Sequence, residues 1–336
     1  MITSTPVARW SWGREAVGQD HLADFIRTFA SAFSVLKNHR LLLIDIPVKI
    51  SIHESGNIDK FLFRREFNFS ENISPNSAES IARSIRSDMF PGEPGGFDID
   101  AYSPSLRREY DPDIPVEKAF ALNALMVVDY IAIQVEAYSD AWMQYDLKAR
   151  PQLERYAVNR PRLAIALNDI SEATGGEIDP DDATWFGKPT EDGIENLHYS
   201  DGSIPDVWGQ HEIPHRNAVF HYTPEFGPAT YARSVTGPIH YVPVVKGQDL
   251  LGYLWISDPE VAASYEPFEP AEGNGYKAGI RWIERLDEAN ARGLSPSAAL
   301  TEFASLPEDP VAGRLDAASA ATAPDLAELR VKASYD

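Results

Sequence analysis

The sequence predicts an α+β fold, with mixed, mainly antiparallel sheets packed against amphipathic helices in two subdomains. Three patterns predict it. The sharpest runs from Gly237 to Trp255, where two β-rich runs, Ile239 to Val245 and Leu250 to Trp255, flank the polar loop Lys246-Gly247-Gln248-Asp249. The loop glycine supplies the positive φ that a tight antiparallel connection needs, so 239–255 reads as a central hairpin. Ile239, Tyr241 and Pro243 alternate with His240, Val242 and Val244, which leaves apolar groups on both faces and places the hairpin inside a sheet. A second antiparallel pair, Leu41 to Ile52 and Phe61 to Phe69, turns at Ser55-Gly56-Asn57. The third pattern is helical spacing between these strands: Leu22, Phe25, Ile26, Phe29, Phe33 and Leu36 within Asp20 to Lys37, and Ile280, Ile283 and Leu286 within Tyr276 to Asn290.

The other elements follow in order. Residues before Asp20, with Trp10 and Trp12, read as a loose start. A helix is expected over Ser77 to Met89, with Ile81, Ile85 and Met89 inward. Phe90 to Pro115 is rich in Pro, Gly and Asp and reads as a long surface loop. Ala119 to Val128 and Ile131 to Val135 alternate as strands. The next helix has Asn159 as its N-cap, Pro161 in its first turn, Leu163, Leu167 and Ile170 inward, and Gly175 past its end. Gly176 to Pro214 shows no periodicity, and loops of that length are frequently functional. Ala218 to Tyr222 reads as a short strand, Ser295-Pro296 starts a helix with Leu300 and Phe303 inward, and Ala312 to Asp336 reads as a peripheral Ala-rich arm. The expected division is 1–150, 151–311 and a tail, 312–336.

Composition narrows the function classes. The chain has 336 residues, 43% hydrophobic and 24% charged, which is ordinary for a folded protein. Its 51 acidic and 30 basic residues give −21 at pH 7, a field that repels nucleic acid and anionic membranes and attracts a basic protein. Acidity of this kind also serves solubility alone. With no cysteine, disulfides, thiolate zinc sites and cysteine nucleophiles are excluded. No basic start with an apolar run and no span-length segment is found, so a cytoplasmic location is expected.

His211-Glu212-Ile213-Pro214-His215 matches the letters of the zinc-protease motif H-E-x-x-H, which works when a helix stacks both imidazoles on one face. Pro214 is expected to break that helix at a cost of roughly 3 kcal/mol and to extend Ile213, parting the histidine backbones by about 13 Å. Five of the eight histidines, His198, His211, His215, His221 and His240, nevertheless share one stretch, and a tertiary metal site from His198, His211 and His215 is the alternative to ordinary hydrogen-bonded histidines. No catalytic residue and no cofactor is assigned. The carboxylate pairs Asp98/Asp100, Asp111/Asp113 and Asp179/Asp181/Asp182 read as turn formers; none completes a calcium loop, although a glycosidase-type pair is compatible with them. Gly273-Asn-Gly275 reads as a helix start, because Glu266, Glu269 and Glu272 oppose a phosphate there.

What remains is a surface. Trp185, Tyr199 and Trp208 lie among Asp181, Asp182, Glu191, Asp192, Glu195, Asp201 and Asp206, and aromatic anchors in an acidic rim suit recognition of a basic protein face; the competing reading makes the tryptophans core beneath long loops.

Val242-Pro-Val-Val245, Leu251-Gly-Tyr-Leu-Trp-Ile-Ser-Asp258, Gly279-Ile-Arg-Trp282 and Arg292-Gly-Leu-Ser-Pro296, with Tyr138-Ser-Asp-Ala-Trp142 and Asn159-Arg-Pro-Arg-Leu163, resemble a little-characterised group of bacterial proteins. Some of these act as immunity partners of secreted toxins. The resemblance covers the last third of the chain and these two stretches, rests on structural residues, and leaves His211 and His215 outside the group's pattern. It implies a non-enzymatic protein that neutralises a basic toxin domain. A hydrolase using histidines and carboxylates of 179–240, which requires a deep polar pocket there, and a structural subunit of a larger assembly, docked through the tail, are the alternatives.

Overall fold

The computed structural model describes residues 1–42, 46–69, 75–107, 114–221 and 231–334. Its architecture is α+β with antiparallel sheets. Two compact units divide between His215 and Arg216.

The first unit is built on strands β1 (Ala8–Glu15), β2 (Ile46–Glu54), β3 (Asn57–Phe69), β4 (Pro94–Arg107), β5 (Ile114–Val127), β6 (Tyr130–Ala137) and β7 (Ile178–Pro180). They form one seven-stranded antiparallel sheet in the order β3-β2-β4-β5-β6-β1-β7. Helices α1 (His21–Asn38), α2 (Ala78–Asp88) and α3 (Leu153–Thr174) accompany it. Alternation assigns the inner face: Trp10 and Trp12, Val48, Ile50 and Ile52, Ile99 and Ala101, Leu122, Ala124 and Met126, and Ile131, Ile133 and Val135 share one buried cluster with Phe25, Phe29 and Leu36 of α1 and Leu163, Leu167 and Ile170 of α3. The two indoles of β1 are buried without loss of their hydrogen bonds: Trp10 Nε1 donates to Thr190 O (2.7 Å) and Trp12 Nε1 to Ser171 Oγ (2.8 Å). Asp20 caps α1, its carboxylate accepting from Ala23 N at 2.9 Å. Arg14 clamps the buried Asp24 with two 2.9 Å bonds and Val17 N adds a third contact at 2.8 Å.

The second unit holds α5 (Glu272–Ala291), α6 (Pro296–Phe303) and α7 (Leu326–Ser334) with strands β10 (Ile239–Lys246), β11 (Asp249–Ser257), β12 (Ala262–Pro267), β13 (Arg314–Leu315) and β14 (Ala321–Ala323). Between β7 and this unit lie the hairpin β8 (Gly187–Thr190) and β9 (Gly193–Asn196), and helix α4 (Ile213–His221), within which the two units divide. The β10–β11 hairpin turns at Gly247 with φ 60° and is buried on both faces, as the double apolar pattern predicts. Val242, Val244, Leu254 and Ile256 pack with Trp282 and Leu286 of α5 and Phe303 of α6. Tyr241, Tyr253 and Trp255 pack with Leu326 and Leu329 of α7.

Several expectations are corrected. Trp10 and Trp12 lie on an interior strand of the sheet, because period-two burial of two indoles outweighs the lack of a longer apolar run. Residues 94–107 form β4, where Phe97, Ile99 and Ala101 alternate with Asp98 and Asp100; the Pro-Gly content marks only its entry, and 108–113 of the expected loop lie outside the described residues. Helix α3 starts at Leu153, so Asn159 is an interior residue that donates to Arg155 O (2.8 Å), and Pro161 sits inside the helix. Ala218 to His221 belong to α4 and Tyr222 lies outside the described residues. Ile280 faces solvent while Trp282 faces in. The expected boundary at 150 falls within the first unit, since α3 and β7 pack there. The Ala-rich tail is integral: β13 and β14 pair with β10, and Ala312 O accepts from Trp282 Nε1 at 2.8 Å.

Candidate partner-binding surface

The loop that carries the exposed indole is anchored at both ends. Upstream, β7 pairs with β1, with Trp10 opposite Pro180 and Trp12 opposite Ile178. Downstream, Thr184 Oγ1 donates to Val7 O (2.7 Å) and accepts from the backbone N–H groups of Phe186 (3.1 Å) and Gly187 (3.2 Å). Phe186 is thereby turned inward and Trp185 outward, 69% exposed. The Trp185 ring lies 4.8 Å from the His211 imidazole, which meets the edge of Phe186 on its other approach.

His211 belongs to a helical segment, and the expected break at Pro214 does not occur. Residues 208–212 form a π-turn that runs into α4, with Ile213 at φ −61° and ψ −49° and its N–H bonded to Trp208 O. The wide turn shifts the bonding register, and Pro214 occupies the start of the α-helix, where a missing N–H is tolerated. The zinc motif nonetheless fails at its glutamate. Glu212 is fully buried, and its Oε1 accepts from Ser4 N (2.8 Å) and Ser4 Oγ (2.7 Å). His198 faces Gly202 O at 3.3 Å, His211 packs at a tilt against Trp185, and His215 is exposed. Among the described residues no group of three or more His, Cys, Asp or Glu side chains is arranged to hold a metal ion.

The same π-turn links the second aromatic. Gln210 Nε2 donates to Tyr199 Oη (2.6 Å), and Asp206 accepts from Gly209 N (2.9 Å). Exposed Trp185, Gln210 and Tyr199, with half-buried His211 between them, therefore form one connected surface strip. Asp181 and Asp182 stand beside Trp185 in an open cleft of about 940 Å³ that Thr5, Pro6 and Arg9 complete. Asp201 borders the Tyr199 end. Its carboxylate accepts from Ser203 Oγ (2.6 Å) and Ser203 N (2.9 Å), and these two bonds hold it below the usual carboxylate range.

The remaining predicted residues sort differently. Trp208 is not a surface anchor: it is 2% exposed within the core, as the competing reading holds. Asp192 is engaged by Arg160 and Thr190, Glu195 lies 3.8 Å from Lys188, and Glu191 is exposed. A smaller cavity of about 360 Å³ lies between Tyr145, Tyr156, Ile194 and His198. The sequence reading missed the outer row of the sheet. Asp98 and Asp100 are not turn formers but neighbours on one face of β4, and the alternation Phe97-Asp-Ile-Asp-Ala101 is the signal that reveals them. Comparison with protein-family models, with curated proteins and with solved structures found no match. Among the described residues no helix is long and apolar enough to cross a membrane.

Proposed function

We propose that the first unit is a non-enzymatic, cytoplasmic binding module that captures a basic protein partner, a toxin domain in the manner of an immunity protein. The observation that carries this reading is the Trp185–His211–Gln210–Tyr199 surface strip with Asp181, Asp182, Asp201 and Asp206 beside it. Large rigid aromatics held in place lose little side-chain entropy on binding and supply the buried anchor. The surrounding carboxylates and the net charge of −21 steer a cationic face toward them. The resemblance to toxin-immunity proteins points the same way. The open form of the cleft at Asp181 suits a protein face better than the enclosed polar pocket a hydrolase requires.

The test is a pull-down from lysate of the source organism with the purified chain as bait at low and moderate salt. A single basic protein is expected in stoichiometric amount, with retention lost on Trp185→Ala and reduced on Asp182→Lys. Empty eluates at both salts, or retention indifferent to Trp185→Ala, overturn the proposal.

A further inference from the structure

The edges of the two larger sheets differ in what they leave open. Among the described residues, β7 closes one side of the seven-stranded sheet with three residues, and β13 and β14 end the other sheet with two and three. At the far side of that sheet β12 is buried along its whole length, with Ala232 bridging Ala262. Short or covered edges of this kind offer no template to another chain. β3 is the exception: it has 13 residues and, among the described residues, pairs only with β2.

Every second residue of an edge strand aims its N–H and C=O away from the sheet. From Asn57 to Leu62 the backbone is partly engaged: Asn57 Oδ1 accepts from Asp59 N (3.2 Å), His53 Nδ1 meets Ile58 O, and Leu62 O accepts from Phe90 N (2.8 Å). Leu62 is also the extra residue of a bulge, since Ile52 faces Phe63 and His53 faces Phe61, and a bulge bends its strand out of line. Beyond it Phe63-Arg64-Arg65-Glu66-Phe67 pairs with β2 without a break, and among the described residues nothing bonds its outward backbone groups. Arg64, Arg65 and Glu66 are exposed. The register sorts the side chains: Phe63, Arg65 and Phe67 share the core side with Ile52, Ile50 and Val48, while Arg64 and Glu66 share the outer side with Ser51 and Lys49. Arg65 has its own counter-charge, Asp88 Oδ2 at 2.8 Å. Arg64 lies 4.7 Å from the Phe61 ring centre, and among the described residues neither it nor Glu66 has an ion pair.

We propose that this segment is a dimer interface, β3 pairing antiparallel with β3 of a second copy of the chain about a two-fold axis at Arg65. The segment complements itself. In that register Arg64 stands opposite the second copy's Glu66 and Glu66 opposite its Arg64, while Phe63 and Phe67 meet in the same reciprocal way. Facing residues on antiparallel strands hold their Cβ atoms about 5 Å apart, close enough for the outer pairs to form ion pairs and the inner pairs to extend the aromatic layer. The two Arg65 side chains at the axis are like charges, but each is already bonded to its own Asp88. Charges on an edge strand commonly serve to repel other strands. Here the two signs alternate along one side, so a wholly acidic strand opposes Glu66 and a wholly basic one opposes Arg64, whereas a second copy in this register satisfies both. The interface uses none of the residues of the partner-binding strip.

Sedimentation equilibrium of the full chain at fixed ionic strength tests the assignment. The mass is expected to rise with concentration from 37.3 kDa to twice that value, while amide exchange over 63–67 slows in step. Arg64→Glu and Glu66→Arg, both at exposed positions, each set like charges at both outer contacts and are expected to raise the dissociation constant at least tenfold. An equimolar mixture of the two variants is expected to pair as tightly as the wild type, because each chain then offers the charge the other lacks. The double variant Arg64→Glu/Glu66→Arg restores the opposition within one chain and is expected to dimerise alone, which separates lost pairing from lost folding. Lys60→Ala, on the other side of the bulge, is expected to leave the mass profile unchanged. A mass fixed at 37.3 kDa, a dimer indifferent to Arg64→Glu, or a mixture no tighter than its components overturns the proposal.

Discussion

Glu266 gives the second unit a stability that depends on pH in an unusual direction. It lies on β12 opposite Tyr253, on the face that α7 covers, and is buried. Burial pushes its carboxyl up from 4.5 to about 7, against the pull of Arg330, whose Nη2 lies 3.3 Å from Oε1. An acid whose folded value exceeds its unfolded value holds more protons folded than unfolded between the two. Stability therefore falls as pH rises from 4.5 and levels off above 7. The full titration amounts to about 3 kcal/mol, most of it between pH 5 and pH 8. Glu266→Gln keeps the shape and removes the proton. Urea unfolding of the full chain, read by hydrogen exchange over peptides of β11 and β12, is expected to show that loss in the wild type over and above whatever the variant shows. Arg330→Met is expected to deepen it, because the guanidinium is what supports the charged form. Parallel pH profiles for the wild type and Glu266→Gln refute the reasoning.

Other expectations follow from the same geometry. Trp208→Ala removes a core indole and is expected to cost about 3–5 kcal/mol, whereas Trp185→Ala is expected to shift stability by no more than about 0.5 kcal/mol; thermal unfolding of the two side by side checks the assignment of one to the core and one to the surface. Burial would raise the Asp24 carboxyl, but hydrogen bonds from Arg14 and Val17 and the charges of Arg14 and Arg27 hold it below 3.8. Its stabilisation is thus present above the unfolded value and lost as pH falls through the folded one; Arg14→Ala, which leaves this carboxylate to Arg27 and the Val17 N–H, is expected to cost about 1.5–3 kcal/mol at neutral pH in urea titration. A Cβ on Gly252 would meet Glu266 O at 2.5 Å, backbone that cannot step aside, so Gly252→Ala is expected to lower the stability of the second unit by about 1–3 kcal/mol. Truncation before Ala312 removes β13, β14, α7 and the acceptor of Trp282 Nε1, and is expected to abolish cooperative unfolding of that unit in calorimetry.

Local pattern alone specifies the elements whose signals lie within one turn or one strand. Gly247 at the turn of the central hairpin, its two apolar faces, and Ser295 before α6 are all legible because capping, turn chemistry and alternation act between residues a few positions apart. That Trp185, Tyr199 and Trp208 share one stretch with many carboxylates is legible in the same way, as composition. Which indole faces out is not: Trp185 and Trp208 sit in the same aperiodic stretch, and only the Thr184 anchor to Val7 and the packing of Trp208 at Leu147 separate them. Pro214 likewise obeys its local rule only until a π-turn changes the register it joins. Asp98 and Asp100 share a Pro-Gly-rich segment with real turn signals, and their place in a strand depends on β2 and β5 pairing on either side. The outer row of the sheet and the docking of the Ala-rich tail onto β10 join residues far apart in the chain, and such juxtapositions are set by strand order and register, which no local period encodes.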